Sequence, residues 1–134
     1  EIHRDRVAGK LSLKQTKYVE QCYKEFFSDA STKPFNTPVR SSDIDKFLKI
    51  TVAANDEEKA AMQKRPFRSL MGMLSWMTIT RCELCYYVSF LCQTMHDPSP
   101  AGWEAALGLL NYAYHTREAG INYDASRQHA SSLC

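Results

Sequence analysis

With 134 residues, 44% of them hydrophobic and 24% charged, the chain has the size and composition of one globular domain, which excludes the disordered and low-complexity classes. Its net charge of +2 is unevenly spread: thirteen of the seventeen Lys and Arg residues lie within residues 1–65, whereas residues 67–116 carry only Arg68, Arg81, Glu83, Asp97 and Glu104. The front half can therefore meet phosphates and the back half is suited to burial.

Residues 1–13 read as a β-hairpin, because Leu11 and Leu13 alternate with polar neighbours and Val7-Ala8-Gly9-Lys10 suits a turn. A chain that starts at Glu1 within a strand is expected to be cut from something longer. A helix follows over Lys14–Phe27, with Tyr18, Cys22 and Phe26 on one stripe widened by Val19 and Tyr23. Ser28–Val39, which contains Pro34 and Pro38, reads as an extended connector. Ser42 as N-cap with Asp45 signals a short helix at Ser42–Leu48, and Asn55 with Glu58 signals another start.

Three longer helices are expected in the back half. Phe67, Leu70, Met71, Leu74 and Met77 line the first; Leu84, Val88, Leu91 and Met95 line the second, which a Thr80/Glu83 capping box would open. Ser99 and Pro100 start the third, with Trp103, Ala106, Leu107, Leu110 and Tyr114 on one face. Gly120 is read as its C-terminal stop and Ile121-Asn122-Tyr123 as the start of a strand. The expected class is α+β and mostly α-helical. Its parts are a hairpin and first helix (1–27), a proline-containing connector with short helices (28–65), a three-helix region (66–123) and a loose polar tail (124–134). Too few charges remain to solvate three helices, so Met73, Trp76, Tyr86, Phe90, Leu109 and Tyr112 are expected to face outward as an orphaned interface.

Five cysteines, odd in number, fit a reducing compartment better than a disulfide framework. Glu1–Lys10 is charged and no apolar run follows it, so an intracellular, cytoplasmic and not secreted protein is expected. The longest charge-free stretches, Ser69–Thr80 and Leu84–His96, are shorter than the ~20 residues of a membrane-spanning helix, and no membrane partner is expected.

Cys82, Cys85, Cys92 and His96 fall near one helical face, but a continuous helix would spread them over roughly 21 Å. Zinc ligands must all lie within about 2.0–2.3 Å of one ion, so only Cys92 and His96 could share a metal, and burial of the thiols as small hydrophobes is the simpler reading. No metal site is assigned. No Gly-rich phosphate loop is present, and Asp43/Asp45 and Asp56-Glu57-Glu58 sit at helix starts, where acidic groups favour the dipole. The basic residues Arg4, Arg6, Lys10, Lys14 and Lys17 cluster in the hairpin and the helix after it. They read as a solvated face or as contacts to a nucleic-acid backbone.

Ordered motifs narrow the choice. Ile2-His3-Arg4-Asp5-Arg6, Leu11-Ser12-Leu13 and Gln15-Thr16-Lys17-Tyr18-Val19-Glu20 resemble the segment just downstream of the catalytic aspartates in copia-like retrotransposon reverse transcriptases. Lys33-Pro34-Phe35-Asn36-Thr37-Pro38 resembles the next landmark of that family. Pro66, Phe67, Arg68, Gly72, Trp76, Thr80, Arg81 and Glu83 resemble its proline-aromatic-arginine, glycine and threonine-arginine-proline-acidic block, with Cys82 in place of the proline. Asp97-Pro98, Trp103, Tyr112, Thr116 and Gly120–Tyr123 resemble the stretch leading into RNase H. Four motifs stand in order from Glu1 to about Tyr123.

The resemblance implies a thumb and connection segment. The hairpin would lie beside the primer terminus, and Pro66, Phe67, Arg68, Gly72, Trp76, Thr80, Arg81, Glu83, Trp103 and Tyr112 would be structural. The parent enzyme would copy RNA into DNA with Mg or Mn on aspartates upstream of Glu1. No catalytic residue and no cofactor is therefore expected in this chain, and Asp124 is not assigned to RNase H. The implied partners are primer–template nucleic acid (RNA–DNA hybrid or DNA duplex), bound weakly, and the palm and RNase H segments of the same polyprotein. Leu107, Gly108, Asn111 and Tyr114 stand where the family has basic residues, which implies a poorer grip on phosphate. The rival reading is a host-retained helical protein–protein interaction module.

Overall fold

The computed structural model describes residues 1–28 and 33–125. Strands β1 (Ile2–Asp5) and β2 (Lys10–Leu13) are followed by helices α1 (Thr16–Phe26), α2 (Ile44–Leu48), α3 (Asp56–Gln63), α4 (Phe67–Met77), α5 (Cys85–Cys92) and α6 (Pro100–His115), and by strand β3 (Ile121–Asp124). The fold is α+β and mostly helical, as expected.

The hairpin closes because Asp5 Oδ1 accepts from the Val7 and Ala8 amides at 3.0 and 2.9 Å, and because Gly9 takes the left-handed φ of 65°. β2 is the middle strand of an antiparallel sheet in the order β1-β2-β3. Leu13 faces Ile2 on one side and Ile121 on the other, and Lys10 faces Asp5 and Asp124. The strand expected at Ile121 thus returns to the first hairpin.

Gly120 is not the stop of the preceding helix. That helix ends at His115, with the Thr116 amide bonded to the Tyr112 carbonyl at 3.1 Å. A side chain at position 120 would collide with the carbonyl oxygen of Leu13, so glycine is needed for the chain to pass the end of β2.

Two expected helix starts form and two do not. Asn55 Oδ1 accepts from the Glu58 amide at 2.9 Å, while Glu58 Oε2 accepts from Ala54 at 2.8 Å. Ser99 Oγ accepts from Gly102 at 3.2 Å, with Pro100 opening α6. Ser42, by contrast, lies inside a 3-10 turn, Ser41–Asp43, that leads into α2 without a side-chain cap. The Asp43 amide bonds to the Arg40 carbonyl at 2.9 Å, so that backbone contact replaces the cap. The Thr80/Glu83 box does not form either. Thr80 Oγ1 donates to Gln15 Oε1 at 2.8 Å and Glu83 is drawn to Arg81, so α5 is entered through a 3-10 turn at Cys82–Leu84.

The core gathers Phe67, Leu70, Met71, Leu74 and Met77 of α4, Leu84, and Val88 and Leu91 of α5, all on the faces that periodicity selects. Met95 lies beyond the end of α5 and is only partly buried. α6 differs from expectation. Ala106 and Leu110 are buried, but so are Leu109 and Ala113, while Trp103, Leu107 and Tyr114 are only partly covered. α6 packs against each of the other five helices, so it has more than one inward face and a single stripe cannot describe it. Leu109 is therefore core and not part of an outward patch, whereas Trp76 (56%) and Tyr86 (61%) are exposed. Met73, Phe90 and Tyr112 are partly buried.

Gly120→Ala should lower stability by about 1–3 kcal/mol, the usual cost of forcing atoms into an occupied space. Urea unfolding with an unchanged m-value and a lower midpoint is the expected result.

Candidate nucleic-acid interface

Arg4, Arg6, Lys10, Lys14 and Lys17 do not form one patch. Residues opposite each other on neighbouring strands share a face of the sheet, so Arg4 shares one face with Leu11 and Tyr123. Lys10 lies on the other face, between Asp5 and Asp124. Arg6 is exposed in the turn. Lys14 Nζ lies 3.3 Å from Glu118 and Lys17 Nζ lies 3.8 Å from Glu1. Such exposed pairs add little stability, but they reduce the charge offered to a polyanion. Sequence reasoning missed these carboxylates because Glu118 and Asp124 are distant along the chain.

Of the family-motif residues, Arg81 is the most constrained. Only 2% of it is exposed. Nε donates to Glu83 Oε1 at 2.6 Å, Nη1 to the carbonyls of Thr116 at 3.1 Å and Ala113 at 3.4 Å, and Nη2 to Thr116 Oγ1 at 2.6 Å. Its guanidinium stands 5.5 Å from the Tyr112 ring centroid. A cation at the last carbonyls of α6 complements the helix dipole as well as filling their open acceptor positions. One signal of burial was available: Arg81 and Glu83 are the charges separating the two longest charge-free stretches.

The other motif residues are spread along α4 and α6. Pro66 precedes α4, Phe67 is buried, Arg68 is exposed, and Gly72 faces open space where a Cβ would meet nothing within 4 Å. Trp103 meets Phe26 edge-on at 6.0 Å. The Trp76 carbonyl accepts from Gln15 Nε2 at 3.3 Å.

The α6 positions Leu107, Gly108, Asn111 and Tyr114 meet other parts of the chain. Asn111 Nδ2 donates to the Lys33 carbonyl at 3.0 Å, Tyr114 stacks on Tyr23 at 3.8 Å, and the Phe35 ring lies where a Cβ on Gly108 would be 3.3 Å away. Leu107 lines an apolar cavity of about 420 Å³ with Phe35 and Phe47. This stretch of α6 is engaged in internal packing.

Among the described residues no three His, Cys, Asp or Glu side chains converge to hold a metal ion. These residues do not fit the divalent ions implied for the parent enzyme, and no step through a metal is derived for this chain. Cys82 and Cys85 are exposed, Cys92 is half-buried and Cys22 is buried. Burial pushes the Cys22 thiol above its ordinary pKa, and burial likewise raises its neighbour Tyr18 to about 12. No helix among the described residues is long and apolar enough to cross a membrane.

Comparison with known proteins places this arrangement. Over 112 residues, 83% of the chain, it is 33% identical to a retrovirus-related Pol polyprotein from transposon TNT 1-94 of Nicotiana tabacum, covering 8% of that protein. Over 120 residues, 90% of the chain, it is 28% identical to a retrovirus-related Pol polyprotein from transposon RE2 of Arabidopsis thaliana, again covering 8%. Both of these relatives are retrovirus-related Pol polyproteins of plant transposons. It is also 32% identical over 113 residues to an uncharacterized mitochondrial protein of Arabidopsis thaliana, which aligns with 83% of this chain and 42% of its own length. The chain thus spans less than half the length of these curated relatives. No protein-family model matches it, and no solved structure matches it.

Arg81→Met should cost about 2–4 kcal/mol, because the Ala113 carbonyl is left buried without its donor while Glu83 can rehydrate. Arg81→Lys should recover only part of this, since an ammonium cannot fork between Glu83 and Thr116; thermal or urea melts of both variants check the order. Thiol labelling of the native chain followed by peptide mapping should find Cys82 and Cys85 modified well before Cys22.

Proposed function

We propose that this chain is a noncatalytic part of a transposon RNA-directed DNA polymerase polyprotein, which positions primer–template and links the polymerase to RNase H. The observation that carries the reading is the alignment with a transposon Pol polyprotein over 83% of the chain. It is supported by the architecture, in which strands from the front and the back of the chain share one sheet. A linking segment has to transmit position, and a unit closed on itself does so better than a string of independent helices.

Of the five, Arg4 and Arg6 are the most available to a phosphate backbone; Lys10 lies between Asp5 and Asp124 across the strands, and Lys14 and Lys17 contribute through charges already shared with Glu118 and Glu1. Binding should be sequence-blind, because backbone contacts carry no base information. The residues proposed for a motif scaffold, from Pro66 to Tyr112 but without the exposed Arg68, act by holding α4, α5 and α6 in place, and the palm and RNase H segments are the proposed protein partners.

Two measurements test this. Primer extension by the purified chain with Mg²⁺ or Mn²⁺ should give no incorporation above a heat-killed control. Fluorescence anisotropy with RNA–DNA hybrid should show affinity falling with salt, with Arg4, Arg6, Lys10, Lys14 and Lys17 together contributing no more than about −4.5 to the log–log slope. Incorporation by a clean preparation, or a chain that ignores hybrid at low salt, would overturn the reading.

A further inference from the structure

The corner between α3 and α4 carries charge that the local structure leaves unused. The chain turns sharply there, with the Phe67 amide bonded to the Arg65 carbonyl at 2.8 Å. Arg65 and Arg68 line a cleft of about 470 Å³ together with Lys59, Ser69, His96 and Asp97. Lys59 Nζ is taken by Asp97 Oδ2 at 2.9 Å, which also occupies the one carboxylate of the cleft. Among the described residues neither Arg65 nor Arg68 has a carboxylate within ion-pair distance.

The two arginines differ in how they are held. Arg65 rests on soft contacts, with Nη1 4.0 Å from Met62 Sδ and the guanidinium 5.7 Å from the Trp103 ring centroid. Those contacts orient the planar group while leaving most of its five N–H donors for another acceptor. Arg68 stands in the first turn of α4, a turn with no acidic residue. A cation at that end of a helix opposes the dipole, so Arg68 is not there to stabilise α4. Both side chains are exposed, and His96 beside them is exposed as well.

We propose that this cleft is a phosphate seat for a nucleic-acid backbone, with Arg65 and Arg68 as the pair that meets the phosphate oxygens. The guanidinium fork matches phosphate geometry bidentately, and Ser69 and His96 supply further hydrogen-bonding groups at the rim. The site uses none of Arg4, Arg6, Lys10, Lys14 and Lys17, and its nucleic-acid source rests on the function proposed above. A free phosphate would present the same oxygens, so the test separates the two.

The full chain, labelled with ¹⁵N, is titrated first with inorganic phosphate and then with a short RNA–DNA hybrid, and Arg65→Gln/Arg68→Gln is compared with wild type and with Arg4→Gln/Arg6→Gln. The expected result is that both ligands shift the amides of Arg68, Ser69 and His96. The Arg65/Arg68 double variant should bind hybrid about tenfold more weakly at 0.1 M salt, with a salt slope shallower by about 2. Both substitutions are on exposed side chains, so the thermal midpoint should stay within error and a folding defect is not the cause. If hybrid binds but leaves these amides unmoved and the double variant behaves as wild type, the seat is refuted while the proposed function stands. If inorganic phosphate moves them and hybrid does not bind, the cleft is a phosphate seat but the nucleic-acid source and the proposed function both fall. If neither ligand moves them, the seat is refuted outright.

Discussion

The guanidinium of Arg81 joins two parts of the molecule that are far apart in sequence. It leaves the α4–α5 junction, reaches Glu83 beside it, and fastens on the final carbonyls of α6. Around it runs a polar seam: Gln15 to Thr80, Thr16 Oγ1 to the Arg117 carbonyl at 3.2 Å, and Arg117 Nε to Glu20 at 2.8 Å. This seam fixes where α1 starts relative to the end of α6, and so where the sheet sits on the helices. Taking a cation out of water costs several kcal/mol, and its partners here roughly return that cost. The greater effect is on uniqueness, since an apolar core of Leu and Met tolerates sliding and a forked donor with four fixed acceptors does not.

What could be read in the sequence was what depends on near neighbours. The α4 face repeats apolar residues at helical spacing, and Asn55 and Ser99 cap helices within three residues of themselves, so their partners were visible in a short window. Thr80 and Glu83 look the same in that window, yet each finds a stronger partner elsewhere. A hydroxyl that meets Gln15 and a carboxylate that meets a buried guanidinium have no reason to cap α5. The same holds for α6, where burial on several sides hides the amphipathic signal that would have marked Leu109 and Ala113 as core.

Charge was legible as quantity and not as arrangement. The excess of Lys and Arg before residue 66 is plain, but whether a cation is available depends on which carboxylates fold back on it. Glu118 and Asp124 return to Lys14 and Lys10 from the opposite end of the chain, and none of that is visible locally. Similarity to transposon Pol polyproteins says nothing about how charge is distributed over the surface.

The placement of β2 between two strands from distant parts of the sequence has a kinetic consequence. A two-stranded hairpin of four-residue strands is marginal in water on its own, so β1 and β2 gain a lasting partner only when β3 arrives. Bringing β3 home closes a loop on the order of 100 residues, at an entropic cost of roughly 4 kcal/mol, which is recovered only after the intervening helices have packed. The sheet is therefore the last element to be secured and the first to open, and native-state hydrogen exchange in the hairpin reports how well the far end of the chain is docked. In a polyprotein made from front to back, the strand pairing is a clock: the hairpin is silent until synthesis has passed β3, and whatever surface the sheet forms appears only once this whole segment exists.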